Sequence, residues 1–560
     1  MTTTNNLIAS SLKKIIIITA SVIAVLLIGI FIYLKVRKSE DFEPLIKAKL
    51  QQVIKEASDS LYILNLDKIE IDVVGSKIKV HNAELLIDST RLNQLLAEGT
   101  APVDVYKISL SDLHIDGFNI ADLLDKKNIN LNALNIKNPT VEIYHPVNKR
   151  DTIFKDTATL YSRIQKSLGH FSLQDLSISN MNFIYHNIAE EKEKLTTFSN
   201  VSMRFNNIEI DSTTQFDTSR FLYAKQANIY IPGYTFRTPD SMYFLKADTL
   251  ILHAAQKSID ATGLALQPRY SKQDFGKHLK FYKDRYDIKF KTASFNNIDW
   301  YNLFLGEGFT AKHAEFNNGS MEVYADKNIP PSPKSKIGNF PHQLLARLDM
   351  PVDIDTILIK NFEFTYRELN IKTQQTGAVT WTDISGQLTN VTNVPEKIAA
   401  DKIVKVAAQS KLFNAGSFSA VFQFDMTKTK DGDFTLDINL GPMDGTVINP
   451  ASKTLGLFEV NSLAIKKLNA HIIANSYKAR SSVLFVYDDL NITALKKQEE
   501  SKKLKKKKLV SFFANTFVIN KSNTMNDARP EYVTYQRDPQ RSFFSLIWKS
   551  LLKGITNTAS

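Results

Sequence analysis

The stretch from Ile108 to Ile115 constrains this chain most, because its apolar residues follow a strand pattern that changes phase in the middle. Ile108 and Leu110 share one face of an extended strand, and Leu113 and Ile115 share the other, since successive side chains in a strand point to opposite faces. A bulge or corner at Ser111-Asp112 would bring all four side chains onto one face. The spacing therefore predicts a strand that bends around an apolar lining.

The same spacing recurs along the chain. Composition alone predicts the full pattern roughly twice, whereas it begins at five positions, Leu64, Ile108, Phe171, Ile288 and Phe309. Many copies begin 21 to 23 or 42 to 44 residues apart, which indicates a rung-like repeat. We expect the lining to consist of Leu64, Leu66, Ile69, Ile71, Ile108, Leu110, Leu113, Ile115, Ile129, Leu131, Leu134, Ile136, Phe171, Leu173, Leu176, Ile178, Val352, Ile354, Ile357, Ile359, Phe458, Val460, Leu463 and Ile465.

The positive charge of the chain is concentrated in two places. Of a net +12, five charges (Lys13, Lys14, Lys35, Arg37, Lys38) flank a hydrophobic segment, and the run 496–508 holds eight Lys and two Glu. These two groups account for almost all of the charge, so the rest of the chain is nearly neutral. A nucleic-acid partner is not expected, because it would require Lys and Arg spread over the folded part.

Residues 15–34 contain twenty residues without a charge, after an N-terminal tail at 1–14. That length matches a helix crossing the hydrocarbon core of a membrane. A cleaved signal peptide is the main alternative, and a buried core helix is another. The flanking charges do not decide the orientation. Residues 41–60 follow helical apolar spacing and predict an amphipathic helix beside the membrane.

The remainder predicts a mostly β protein, namely an elongated, curved, antiparallel sheet with short capping helices. We expect one part at 61–327 and a second at 342–519, separated by the Pro-rich loop 328–341, since no central strand could hold its prolines. The Lys-rich loop 496–508 lies inside the second part. The tail 520–560 ends in an amphipathic helix predicted over 542–556.

Both the Lys-rich loop and the C-terminal helix have two interpretations. The loop is either a solvated connection or a site that attracts anionic lipid headgroups. The helix either docks as a cap or lies on a membrane surface. The residues that would contact a membrane are Lys502, Lys503, Lys505, Lys506, Lys507, Lys508, Phe543, Phe544, Ile547, Trp548, Leu551, Leu552 and Ile555.

No catalytic motif is visible in the sequence. The ten His residues are scattered, and the absence of cysteine excludes disulfides and thiolate metal sites. No phosphate-binding Gly-Lys-Ser/Thr loop or Gly-x-Ser-x-Gly nucleophile turn occurs. We therefore expect neither an enzyme nor a bound cofactor or metal.

Three regions resemble the AsmA-like family of bacterial envelope proteins. They are the N-terminal span followed by a helix and strands, the segment Val105 to Tyr144, and the segment Phe434 to Leu495. The second segment contains a strand pair, a Leu-Leu-x-Lys step and a strand pair with Asn-Pro-x-Val. The third contains Gly441-Pro442-Met443-Asp444 and Val486-Tyr487-Asp488-Asp489-Leu490.

The resemblance implies a single-pass anchor at 15–34 in the inner membrane and a body in the periplasm. It also implies an apolar β-groove that binds or conducts phospholipid and so supports outer-membrane lipid homeostasis. The family has no catalytic residues to transfer to this chain. One alternative is an envelope assembly factor that binds outer-membrane proteins through sheet edges. An enzyme that acts on envelope polymers is a weaker one.

Overall fold

The computed structural model describes residues 42–72, 74–102, 104–117, 128–145, 170–187, 194–217, 219–305, 308–497, 504–506 and 520–559. Strands make up 58% of this part of the chain, so the protein is mostly β. The strands are β1 (Tyr62–Asp72), β2 (Lys77–Ile87), β3 (Val105–Asp116), β4 (Asn128–Lys137), β5 (Thr140–His145), β6 (His170–Asn187), β7 (Lys194–Ile210), β8 (Ala224–Arg237), β9 (Tyr243–His253), β10 (Ser258–Pro268), β11 (Arg285–Asn296), β12 (Phe309–Asp326), β13 (Val352–Leu369), β14 (Thr376–Thr392), β15 (Ile403–Leu412), β16 (Gly416–Asp425), β17 (Phe434–Leu440), β18 (Met443–Asp444), β19 (Phe458–Ala474), β20 (Lys478–Lys497), β21 (Leu504–Lys506) and β22 (Glu531–Gln536).

The helices are few and mostly short. They are α1 (Phe42–Ala57), α2 (Ser89–Glu98), α3 (Lys272–Phe275), α4 (Trp300–Leu305), α5 (Pro341–Ala346), α6 (Pro395–Ala400), α7 (Asn449–Ala451) and α8 (Phe543–Thr558). The positions of α1 and α8 correspond to the two amphipathic patterns in the sequence. The transmembrane helix expected at 15–34 lies outside the described residues, and within them no helix is long and apolar enough to cross a membrane.

The chain divides into two compact units. Unit 1 comprises residues 1–234, 248–260 and 299–307, and unit 2 comprises 235–247, 261–298 and 308–560. The Pro-rich loop 328–341 lies within unit 2, whereas the sequence predicts a boundary there.

In unit 1, β1, β2 and β3 pair antiparallel, and β3 continues antiparallel onto both β4 and β5. Strand β6 runs parallel to β4 and β5, and β7 and β8 follow antiparallel. Cross-strand partners form continuous apolar rows, because directly paired residues point to the same face. One buried row consists of Ile69, Val80, Leu113, Ile136, Ile178, Met203 and Ile229.

In unit 2, β11 and β12 pair antiparallel, β12 and β13 pair parallel, and β13 to β17 continue antiparallel. Strands β17, β19, β20 and β22 extend this order, also antiparallel, and the short strands β18 and β21 pair with β19 and β20. The core of this unit lies between β16 to β20 and α8.

The expectation of an antiparallel sheet is wrong at three pairings, because β4–β6, β5–β6 and β12–β13 are parallel. The repeat explains these pairings, since copies that begin 42 or 43 residues apart lie side by side in the same direction. Ile129 pairs with Phe171, and Phe309 pairs with Val352. Parallel neighbours need a long crossover connection, which residues 327–351 supply between β12 and β13.

The phase change in β3 produces the single apolar side that its spacing predicts. The β2–β3 ladder passes from the Ala83–Leu110 pair to the His81–Asp112 pair without a paired step at Ser111. The left-handed residue is Asn82 on the neighbouring strand, with φ 46°. As a result Ile108, Leu113 and Ile115 are buried, and Leu110 is partly buried.

Left-handed asparagines mark a second phase change in the parallel pairs. Asn138, Asn180, Asn318 and Asn361 have φ values of 50°, 55°, 51° and 52°. The side-chain amide of Asn180 donates to Asn138 at 3.2 Å, and that of Asn361 donates to Asn318 at 2.6 Å. Asparagine adopts this backbone conformation more readily than other non-glycine residues. These paired asparagines therefore fix where each strand bends.

We expect Asn361→Val to lower the free energy of unfolding by about 1–2 kcal/mol, because a β-branched residue is strained at positive φ. Asn361→Gly keeps that conformation available and should cost less. Urea unfolding of the two variants measures the difference. Equal losses would show that the hydrogen bond to Asn318, rather than the backbone conformation, stabilises the bend.

Candidate functional site

Two long apolar rows cross unit 2 from β11 to β19. We call them row A and row B, and each is defined by successive cross-strand partners. Row A is Phe295, Ala314, Ile357, Leu388, Val406, Phe422, Leu436 and Ile472. Row B is Ala293, Phe316, Ile359, Gly386, Ala408, Ala420, Ile438 and Ala470.

The two rows differ in burial along their length. On β17 and β19 they are buried, with Leu436 1% and Ile472 0% exposed. On β13 to β16 all eight members are partly exposed. We call these eight residues the open face: Ile357, Leu388, Val406, Phe422, Ile359, Gly386, Ala408 and Ala420.

Row B has small side chains where it crosses the open face. Gly386, Ala408 and Ala420 are consecutive partners, and they lie beside the larger row A residues Leu388 and Phe422. A Cβ atom at Gly386 would lie 3.2 Å from the Cβ of Ala408, so a side chain at position 386 would press against the neighbouring strand β15. The open face therefore has a low strip next to a higher apolar ridge.

The other side of the same strands is mainly polar. Its residues alternate with those of the open face, as the two-residue period of a strand requires. They include Thr356, Lys360, Ser385, Gln387, Thr389, Lys405, Gln409, Lys411, Ser417, Ser419 and Gln423. This side also carries three partly exposed apolar residues, Leu358, Ala407 and Val421. The two sides therefore differ in the share of apolar residues, which is higher on the open face.

Aromatic side chains continue the apolar side along β11 to β14. The Phe290 and Phe362 rings stack at 5.3 Å on either side of Gly319. A Cβ atom at Gly319 would lie 2.4 Å from the Phe290 ring, so glycine is needed for this contact. Phe364 contacts Trp381 at 5.4 Å. All four aromatic side chains are partly exposed.

Helix α8 covers the rows on β17 and β19 and reaches the edge of the open face, where the Phe422 ring lies 6.1 Å from the Phe543 ring. Phe543 is 7% exposed, and its ring lies 4.9 Å from Phe340 and 5.0 Å from Phe434. Gly554 faces Val483, because a Cβ there would lie 2.5 Å from the valine. Ser550 is fully buried and hydrogen-bonded to Ser481.

The structure separates the residues expected at a membrane surface. Phe543 and Ile547 are buried in the docked helix, whereas Phe544 and Trp548 are 63% and 54% exposed. Leu551, Leu552 and Ile555 are partly buried. Lys505 and Lys506 lie on β21, and Lys502, Lys503, Lys507 and Lys508 are outside the described residues.

The expected lining residues fall into two groups. Those that are buried are Leu64, Ile69, Ile108, Leu113, Ile115, Ile129, Leu131, Leu134, Ile136, Phe171, Leu173, Leu176, Ile178, Ile354, Val460, Leu463 and Ile465. Those that are partly exposed are Leu66, Ile71, Leu110, Val352, Ile357, Ile359 and Phe458. Only Ile357 and Ile359 belong to the open face.

The phase-change pattern misses the other six residues of the open face. Val406-x-Ala408 and Ala420-x-Phe422 lie on β15 and β16, which follow simple strand alternation. That alternation is the signal that could identify them, combined with the antiparallel order of β13 to β16. One sequence does not show which residues pair across strands, so it does not reveal the two rows.

The open face carries no reactive groups, and no three metal-ligating side chains come together in the described ranges. What this arrangement offers is contact with an apolar molecule. A comparison of the chain with protein-family models and with curated proteins finds no match.

Proposed function

We propose that the open face binds the acyl chains of phospholipids. In this proposal the protein is an AsmA-like envelope protein, anchored in the bacterial inner membrane through residues 15–34, with its body in the periplasm. It binds or conducts phospholipid along an elongated apolar β-groove and thereby supports outer-membrane lipid homeostasis. It performs no reaction and needs no cofactor.

The observation that supports this proposal is the partial exposure of four consecutive members in each of two neighbouring rows, on one side of a sheet whose other side is mainly polar. Contiguous exposed apolar surface is uncommon on soluble proteins and marks binding surfaces. Four strands span three spacings, or roughly 14 Å. One leaflet contributes roughly 15 Å to the hydrocarbon core of a membrane. The open face thus has the dimension of one acyl layer.

The energetics favour an acyl chain without requiring a tight pocket. Each methylene moved from water to an apolar surface contributes about 0.8 kcal/mol. The low strip at Gly386, Ala408 and Ala420 gives a chain room beside the Leu388 and Phe422 side chains. Since the rows are continuous across β13 to β16, a chain could move along the open face without a large barrier.

The test is the amount of phospholipid that copurifies with the full chain, measured by mass spectrometry. We expect Ala408→Trp to reduce it, because the indole fills the low strip. Displacing two methylenes costs about 1.6 kcal/mol, or roughly a tenfold loss of affinity. The matched control is Ala407→Trp, since Ala407 is also partly exposed but lies on the polar side of β15.

Equal lipid in both variants would contradict the open face as the binding surface. Absence of phospholipid from the unmodified protein would contradict lipid binding altogether. If crosslinking then captured outer-membrane proteins and no lipid, the assembly-factor alternative would be favoured.

A further inference from the structure

The apolar side of unit 2 ends in a polar cluster. Along β13, Phe362, Phe364, Tyr366 and Glu368 occupy alternate positions and so point to the same side. Their neighbours on β12, Met321, Val323 and Ala325, are apolar throughout, so the polar groups on this side of β13 are Tyr366 and Glu368. Along this side of β13, the side chains therefore change from phenylalanine to tyrosine to glutamate.

Lys327 lies at the centre of this cluster. Its ammonium donates a 2.8 Å hydrogen bond to the Tyr282 hydroxyl and lies 3.8 Å from the Glu368 carboxylate. The Tyr282 hydroxyl donates to Asp284, and the Tyr366 hydroxyl donates to Glu368 at 2.6 Å. Two tyrosine–carboxylate pairs thus flank one lysine.

The ionisation of these groups follows from their burial. Burial and the neighbouring carboxylates raise the pKa of both Tyr282 and Tyr366, so both hydroxyls remain protonated donors. Burial also lowers the pKa of Lys327, while Glu368 and Asp284 act in the opposite direction. The side chains of Lys327 and Glu368 remain 26% and 22% exposed, so a ligand can reach both.

Two further cations approach from neighbouring loops. The Lys336 ammonium lies 5.5 Å from the centre of the Tyr282 ring, and Arg541 is close enough to act on Lys327 electrostatically. A backbone hydrogen bond from Lys336 to Pro539 joins the two loops at 2.7 Å. The cluster therefore combines three cations, Lys327, Lys336 and Arg541, with the carboxylates Asp284 and Glu368. Arg541 is also paired with Asp538 at 3.4 Å.

We propose that this cluster binds the headgroup of a zwitterionic phospholipid with a primary amine, its phosphate toward Lys327, Lys336 and Arg541 and its ammonium toward Asp284 and Glu368. The inference rests on the proposed function of the open face. A headgroup here places its chain along Phe364 and Phe362 toward Ile359, which lies roughly 23 Å from Tyr366 along the strand.

The charges discriminate between headgroups. A carboxylate can accept about four hydrogen bonds, so Asp284 and Glu368 have acceptor capacity beyond the tyrosine hydroxyls. A primary ammonium has three protons to donate to them, whereas a quaternary ammonium has none. A headgroup with a phosphate but no ammonium could contact the three cations, but it would leave Asp284 and Glu368 without a cationic partner from the lipid.

The experiment incubates the purified full chain with vesicles of equal parts phosphatidylethanolamine and phosphatidylglycerol, and measures bound lipid by mass spectrometry. We expect roughly tenfold enrichment of phosphatidylethanolamine, which corresponds to about 1.4 kcal/mol. The double variant Asp284→Asn, Glu368→Gln should lose that enrichment and bind the two lipids in the vesicle ratio. The control is Glu363→Gln, on the polar side of β13.

Binding of both lipids in the vesicle ratio would overturn the headgroup inference and leave the proposed function of the open face standing. Enrichment that persists in the double variant would also overturn the inference. If no lipid binds, the proposed function fails and the inference fails with it.

Discussion

Phe543→Ala should lower the free energy of unfolding of unit 2 by about 3–5 kcal/mol, the usual cost of removing a buried phenylalanine. The ring is 7% exposed and lies among Phe340, Phe422, Phe424 and Phe434, with centroid distances from 4.9 to 6.2 Å. Its loss leaves a cavity that four rigid rings cannot close. Urea unfolding, with hydrogen exchange of β16 to β20 as a local readout, measures the change.

The matched control is the next residue along the helix. Phe544 has the same side chain but is 63% exposed, so Phe544→Ala should change the free energy of unfolding by less than about 0.5 kcal/mol. Similar losses in both variants would mean that helix propensity, rather than packing, determines the stability of α8.

Unit 2 should also lose stability when the pH falls from 7 toward 4, because the His342 side chain is buried. It is 2% exposed, neither ring nitrogen has a hydrogen-bond partner among the described residues, and the ring stacks on Phe424 at 4.9 Å. Burial lowers its pKa from 6.5 to about 4, and Asp425 opposes this change only in part.

The direction follows from which state binds the proton. Below pH 6.5 the unfolded chain takes up a proton that the folded chain does not, so stability is lost as the pH falls toward 4. The loss is about 2 kcal/mol at pH 5, since one pH unit corresponds to about 1.36 kcal/mol. His342→Phe keeps the aromatic stack and should remove this part of the pH dependence. Thermal unfolding of both proteins at pH 7.5 and 5 provides the comparison, and identical pH profiles would contradict it.

The apolar spacing in the sequence predicts the local form of the strands well. The phase change between Leu110 and Leu113 coincides with an unpaired step at Asn82 and Ser111, and the register of the ladder is the same on both sides of it. The 42-residue and 43-residue intervals also correspond to real neighbours, Ile129 with Phe171 and Phe309 with Val352. One sequence is therefore enough to predict the local strand pattern and the sequence interval between paired strands.

Strand direction and side-chain exposure are harder to predict from the sequence. A crossover and a hairpin both connect two apolar strands, so the sequence pattern does not distinguish the parallel β12–β13 pair from an antiparallel one. Exposure depends on what covers a row. Leu134 is fully buried and Ile357 is partly exposed, although both occupy the third position of the same spacing.

The difference between buried and partly exposed residues determines which substitutions can test lipid binding. An aspartate at Leu113, which is 2% exposed, would place a charge in the core of unit 1 and cost several kcal/mol. Loss of lipid from such a variant would report unfolding. Ala408 is partly exposed, so Ala408→Trp changes the surface offered to a ligand while leaving the core intact.

The parallel pairing has a consequence for how such chains can change in length. Ile108 and Phe171 are 63 residues apart, and Ile288 and Val352 are 64 apart, so each hairpin with its crossover is an interchangeable module. Duplicating one module would add two strands, or roughly 10 Å, to every row, while each new asparagine would meet its counterpart. Genes encoding this architecture could thus lengthen or shorten by whole modules without disturbing register.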